Sequence, residues 1–186
     1  MDERLTTFWA QLQPVSVATI PSTLRRGRCH VVWKPELRRD DKIGKAPYSP
    51  RGFRASATNP RTWGTFAEAV RAYQRGGYAG IGYMLAGGVL FVDLDHCRDP
   101  ALGTLTPVVQ ALVEHLACYA EASPTGTGVH IYIAGQLVLP AHRYRVLDLE
   151  IEVYQERWYT SLTGQQLPGT PPAPRRMMLE RGAQSN

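Results

Sequence analysis

The run Val89-Leu-Phe-Val-Asp93-Leu-Asp95-His96 narrows the possible folds more than any other part of this 186-residue chain. Read as a strand, it sends alternate side chains to opposite faces, so Leu90, Val92 and Leu94 need a core beneath them. Asp93 and Asp95 then project together from the other face, roughly 6.6 Å apart along the backbone. Two carboxylates so close repel each other unless a cation or a proton lies between them. The chain must therefore build a sheet behind this strand and leave an acidic pair at its end. Hard oxygen donors at this spacing suit Mg2+ or Mn2+, with waters and substrate phosphates completing the coordination. The plainer alternative is a solvated strand end neutralised by His96 and Arg98.

The rest of the chain supplies the sheet. Residues 5–13 read as a short helix ended by Pro14, and Cys29–Trp33 as a strand of β-branched and aromatic residues. The segment 34–62, rich in proline, glycine and charge, reads as a long loop. Thr65-Phe-Ala-Glu68 is a capping box that opens a helix with Phe66, Ala69, Val70 and Tyr73 on one face, and Gly76-Gly77 stops it. Gly80–Leu85, the turn Ala86-Gly87-Gly88 and Val89–Asp95 read as a hairpin. A helix over 105–118 carries an apolar stripe of Val108, Val109, Leu112, Val113 and Leu116. Strands are expected at Val129–Ala134, Leu147–Tyr154 and Trp158–Leu162. The pattern predicts an α+β domain with a mostly antiparallel sheet over residues 1–166. A proline-rich linker or tail is expected over 167–186.

Composition excludes several classes. A chain this long buries a core without staples, and Cys29, Cys97 and Cys118 are an odd set without a Cys-x-x-Cys spacing. No stretch approaches the roughly 18 apolar residues of a membrane span, and the first residues lack the features of a signal peptide. A cytoplasmic setting without a membrane partner is the expectation. Charge is unevenly placed: residues 1–80 hold 14 basic and 6 acidic side chains, residues 81–186 hold 7 and 10. Within 25–61 there are 11 basic residues against 3 acidic. A basic block beside an acidic half suits a polyanion running past a cation site, although scattered arginines also serve simply as a solvated face.

Two further motifs carry chemistry. In Ser123-Pro-Thr125-Gly126-Thr127-Gly128-Val-His130, glycines and small hydroxyl residues can leave backbone N–H groups facing an anion, and His130 opens the next strand. No Gly-Lys-Ser or Gly-Lys-Thr follows, so this is not a Walker A loop, and a plain turn is the alternative. In Glu150-Ile-Glu152-Val-Tyr154, followed by Arg157, Tyr159, Thr163 and Gly164, the two acids and Tyr154 share a strand face. That offers a third acidic ligand and an arginine for phosphate charge, or else the charged outer face of an edge strand.

Taken in order along the chain, these motifs resemble the catalytic domain of the archaeo-eukaryotic primase superfamily, in its phage- and plasmid-type bifunctional primase-polymerase branch. Val92-Asp93-Leu94-Asp95-His96-Cys97 matches the first motif of that family. Tyr119 through His130 matches the second, and Ile151-Glu152-Val-Tyr154 through Arg157-Trp-Tyr159-Thr160 with Thr163-Gly164 the third. The similarity extends upstream through Val32-Trp33, Gly44-Lys45-Ala-Pro47-Tyr48, Asn59-Pro60-Arg-Thr-Trp63 and Gly80-Ile-Gly82-Tyr.

The resemblance implies an RRM-like, mostly antiparallel sheet with an N-terminal αβ unit packed on it. It implies that Asp93, Asp95 and Glu152 are catalytic and bind two divalent ions, Mg2+ or Mn2+. Thr125, Gly126, Thr127, Gly128 and His130 would grip the incoming triphosphate, with Arg157, Thr163 and Gly164 near the nucleotide. Lys45 would contact template or phosphate. Glu150 shares the face of Glu152, so the third ligand lies open between them. Where the family often places an acid just after its motif tyrosine, this chain has Gln155 and then Glu156. The implied activity is template-dependent nucleotidyl transfer, as primase, polymerase or both. Its partners would be a single-stranded DNA template, a primer strand and dNTP or NTP. A helicase domain would lie C-terminal to this segment or act in trans, and the gene would be bacterial, phage or plasmid encoded. The basic block would track the template backbone, Trp33, Tyr48 and Trp63 are candidate stacking platforms, and Tyr154 and Tyr159 candidate filters for a 2′-hydroxyl. Two other classes fit the same residues: a non-catalytic module that binds single-stranded nucleic acid, and a metal-dependent nuclease.

Overall fold

In the computed structural model, which describes residues 2–136, 142–146 and 148–176, the chain enters through helix α1 (Glu3–Ala10). Asp2 caps it by accepting from the Arg4 N–H at 2.9 Å, which starts it two residues earlier than predicted. Strand β1 (His30–Leu37) turns back through residues 38–42 into β2 (Ile43–Tyr48), pairing from Val32↔Tyr48 to Leu37↔Ile43. Much of the long loop expected over 34–62 is therefore a hairpin. Its Pro35 is tolerated because the other neighbour of β1 pairs only with His30–Trp33, and beyond them one edge of the strand needs no donor. Helix α2 (Phe66–Gln74) has the predicted capping box and buries Ala69 and Ala72.

Strand β3 (Gly80–Leu94) is the spine of the sheet. Helix α3 (Pro107–Leu116), β4 (Tyr119–Ala122), β5 (Val129–Ala134), β6 (Arg143–Val146) and β7 (Leu149–Leu162) follow. The strands run β2-β1-β3-β5-β4, with β7 also paired along β3 and β6 along β7. All these ladders are antiparallel, so the fold is α+β with a mostly antiparallel sheet.

The predicted hairpin over 80–95 is not formed. Gly87 and Gly88 take positive φ, as a tight turn would require, but they make a bulge within one continuous strand. Ala86 faces Glu156 and Phe91 faces Tyr154, so four residues of β3 stand against one of β7. The two strands expected at 147–154 and 158–162 are likewise one. Arg157, at φ 55°, is a bulge residue between Trp158, which faces Leu85, and Glu156. Leu147 lies outside the described residues. Strands β4 and β6 add to those predicted.

One half of the core packs α3 against the C-terminal half of β3 through Val109 and Val113, with Leu112 and Leu116 at its border. Val108, placed on that stripe from the sequence, is instead 42% exposed. The other half packs α2 against β1 and the first half of β3. The expected tail does not depart at 167. Leu167 is buried and donates its N–H to the Ala120 carbonyl, and Ala134 donates to Arg175, so residues 167–176 lie along β4 and β5. Residues 177–186 lie outside the described residues. Among the described residues no helix is long and apolar enough to cross a membrane.

Candidate active site

Register assembles the site. On β3, Asp93 stands directly between Glu152 of β7 and His130 of β5, as Cα partners on either side. Cross-strand partners share a face, so the three side chains rise from the same face of the sheet, with Asp95 at the strand end beside them. They open into a groove of about 700 Å³. Its floor holds Asp93, Asp95, Glu152 and His130, and its other wall comes from the β1–β2 hairpin and the loop after it, through Arg38, Arg39, Lys45 and Arg54. Arg38 pairs with Asp40 and Arg54 with Glu36. No carboxylate pairs with Arg39 or Lys45 among the described residues.

His130 is 1% exposed and edge-on to Phe91, with ring centroids 5.1 Å apart. Its Nδ1 lies 3.1 Å from the Ser161 carbonyl, which can only accept, so Nδ1 carries a proton and Nε2 faces Asp93 Oδ1 at 3.5 Å. That Oδ1 is shut off from water and has no hydrogen-bond partner among the described residues. An orphaned anionic oxygen among hard oxygen donors fits a divalent cation. As they stand, however, no three acidic, histidine or cysteine groups among the described residues converge to hold a metal. Glu152 shows why: its Oε1 is 2.7 Å from Arg143 Nε, and its Oε2 accepts from the Tyr154 hydroxyl at 2.8 Å. Burial and that carboxylate hold the Tyr154 hydroxyl above its usual pKa. Glu150 is exposed, pairs with Arg145 and does not line the groove.

The other predicted residues divide. Lys45 lines the groove, on strand β2 rather than on a loop. Arg157 is exposed on its bulge and is not among the lining residues. Nor are Thr125, Gly126, Thr127 and Gly128, whose polar groups bond within the protein, the two threonine hydroxyls to each other at 2.8 Å. The N–H groups of Gly126 and Gly128 donate to Ser123, and the Gly126 and Thr127 carbonyls take Arg98 and Cys97. A Cβ on Gly128 would lie 2.6 Å from the Leu94 carbonyl, so this glycine lets β5 start hard against the strand end that carries Asp95. Beside it, burial pushes the Cys97 thiol up to about 11, which keeps it protonated.

Thr163 and Gly164 hold a carboxylate of the protein itself. Their N–H groups each donate at 2.9 Å to Glu121, which is fully buried and also accepts from the Tyr119 hydroxyl at 2.7 Å. Glu121 lies 3.9 Å from His130 Nδ1 and so stands behind the histidine. Burial, then the charge of Glu121, raises the hydroxyls of Tyr119 and Tyr132 well above their usual range. Glu121 was missed from sequence, although a lone acid in Tyr-Ala-Glu-Ala is the signal that could have found it. Arg143 was missed as well. Of the candidate stacking platforms, Trp33 and Trp63 are core residues. The groove's exposed aromatic is Trp158, 43% exposed and stacked on Tyr154 with centroids 4.2 Å apart, and Tyr159 lines the groove beside it.

An antiparallel sheet that gathers acids and a buried histidine under a basic wall defines a protein with an acidic-floored cleft of about 700 Å³. No family model matches the chain. Its sequence is 35% identical over 144 residues to a DNA primase-polymerase of the Nitratiruptor phage NrS-1. The alignment covers 75% of this chain and 19% of that protein, so the chain spans about a fifth of its relative's length.

Proposed function

We propose that this chain is a primase-polymerase catalytic domain of the archaeo-eukaryotic type, joining nucleotides on a single-stranded DNA template. The observation that carries the reading is the placement of Asp93 between Glu152 and His130 at the floor of a groove with a basic wall. The similarity to a phage primase-polymerase supports it. Asp93, Asp95 and Glu152 would hold Mg2+ or Mn2+, which neutralise the triphosphate and activate a primer 3′-hydroxyl. His130, fixed by Ser161 and backed by Glu121, would orient the phosphates. Arg39 and Lys45 would follow the template backbone without reading bases. The catalytic unit would extend beyond the expected 1–166 to take in residues 167–176, which lie along β4 and β5, with any helicase partner outside it.

The test is extension of a labelled primer on single-stranded template with Mn2+. Wild type should add nucleotides, and Asp93→Ala should lose at least ~100-fold in rate, the several kcal/mol a metal ligand supports. Because Asp93 Oδ1 is unpartnered, the same variant should melt within a few degrees of wild type. A second reading, a module that binds strands without chemistry, is favoured by the engagement of Glu152 with Arg143. It requires that neither protein extends and that both bind single strands equally with or without metal.

A further inference from the structure

Glu152 has two partners of different kinds. Tyr154 is buried and stacked between His142 and Trp158, with planes 13° and 5° from parallel. Arg143 is 77% exposed on the four-residue strand β6. A neutral hydroxyl can go on donating to one carboxylate oxygen while the other binds a cation. A guanidinium at 2.7 Å on the other oxygen is repelled by a divalent ion of its own sign. We infer that Arg143 is an exchangeable counter-ion. It holds Glu152 before substrate arrives, then releases it to the divalent ion and pairs with the phosphates of the nucleoside triphosphate.

Three observations support this, all resting on the reading of the groove as a metal and triphosphate site. Asp93 Oδ1 is unsatisfied while each Glu152 oxygen already has a partner, one of them a cation, so Glu152 is engaged elsewhere than with Asp93. Arg143 itself lines the groove, and the exchange needs no departure from it. Arg143 is 77% exposed while Glu152 is 28% exposed, so the guanidinium can leave the pair toward water, and its planar fork suits phosphate as well as carboxylate.

The test separates two affinities that an ordinary structural arginine would move together. Mn2+ alone is titrated by calorimetry into wild type, Arg143→Ala and Arg143→Ala/Glu152→Gln, and dGTP is titrated in Ca2+ to prevent turnover. Arg143→Ala should bind Mn2+ ~2–5-fold tighter, the worth of an ion pair with one exposed partner, and the gain should vanish in the double variant. The same variant should bind dGTP ~10-fold or more weakly, with partial recovery in Arg143→Lys. Unchanged or weaker Mn2+ binding by Arg143→Ala overturns the exchange, as does an unchanged affinity for dGTP. Should the alanine variant melt early, Arg143→Gln is read the same way. If Asp93→Asn leaves wild-type Mn2+ affinity intact, the metal reading of the groove falls and the exchange falls with it. Normal dependence on Asp93 with no effect at Arg143 overturns the exchange alone.

Discussion

The groups aimed at the Glu121 carboxylate are donors: two backbone N–H groups at 2.9 Å, the Tyr119 hydroxyl at 2.7 Å and the Tyr132 hydroxyl at 3.4 Å. An ionised carboxylate accepts all of them, whereas an amide brings two donors of its own into the same space. Glu121→Gln should therefore destabilise by about 3 kcal/mol, a fall of ~6–12 °C in Tm by calorimetry. Glu150→Gln, exposed and outside the groove, should leave Tm unchanged. At this scale legibility followed period. Asp93 and Asp95 stood out because a two-residue alternation puts both on one face of an apolar strand. Glu121 did not, because its backbone partners lie 42 and 43 residues away, and the nearby Tyr119 alone does not announce them.

Elements were legible where their signals are local. The capping box of α2 is present as written, with Thr65 Oγ1 accepting from the Glu68 N–H and Glu68 accepting from the Thr65 N–H at 2.6 Å. Thr65→Ala should cost about 1 kcal/mol, or ~2–4 °C in Tm. The Thr65 N–H, then its hydroxyl, hold the Glu68 carboxyl below its ordinary value of 4.5. A depressed folded-state value means the contribution is present above 4.5 and is lost as pH falls through the lower one. The gap in urea midpoint between wild type and Glu68→Gln should accordingly be open at pH 7 and close on acidification below about 4.5. The bulges were misread for the opposite reason. A glycine pair at positive φ serves a turn and a bulge equally, and which forms depends on whether a long partner strand lies alongside. That partner, β7, begins more than fifty residues later.

Across the whole molecule, charge that alternates along the β1–β2 hairpin becomes one wall of a cleft, while the acids of β3 and β7 become its floor. The sequence showed the asymmetry of charge, and only the packing of the hairpin against the sheet turned it into a groove. Strand binding should be salt-dependent. With Arg38, Arg39, Lys45 and Arg54 each meeting a phosphate, log K should fall against log salt with a slope of about −3. Arg39→Ala should make that slope shallower by ~0.7, measured by fluorescence anisotropy with a labelled oligothymidine.

The pairing of β3 with β7 also bears on how such a chain is made. The central strand is complete at Leu94, but the strand that covers it along both halves starts at Leu149 and ends at Leu162. At 5–20 residues per second, a ribosome leaves that edge uncovered for roughly 3–11 s. An apolar strand with unpaired N–H and C=O groups is a template for the wrong neighbour. The contacts that complete the candidate site are thus among the last that can form, and the interval before them is when nascent chains are most exposed to aggregation.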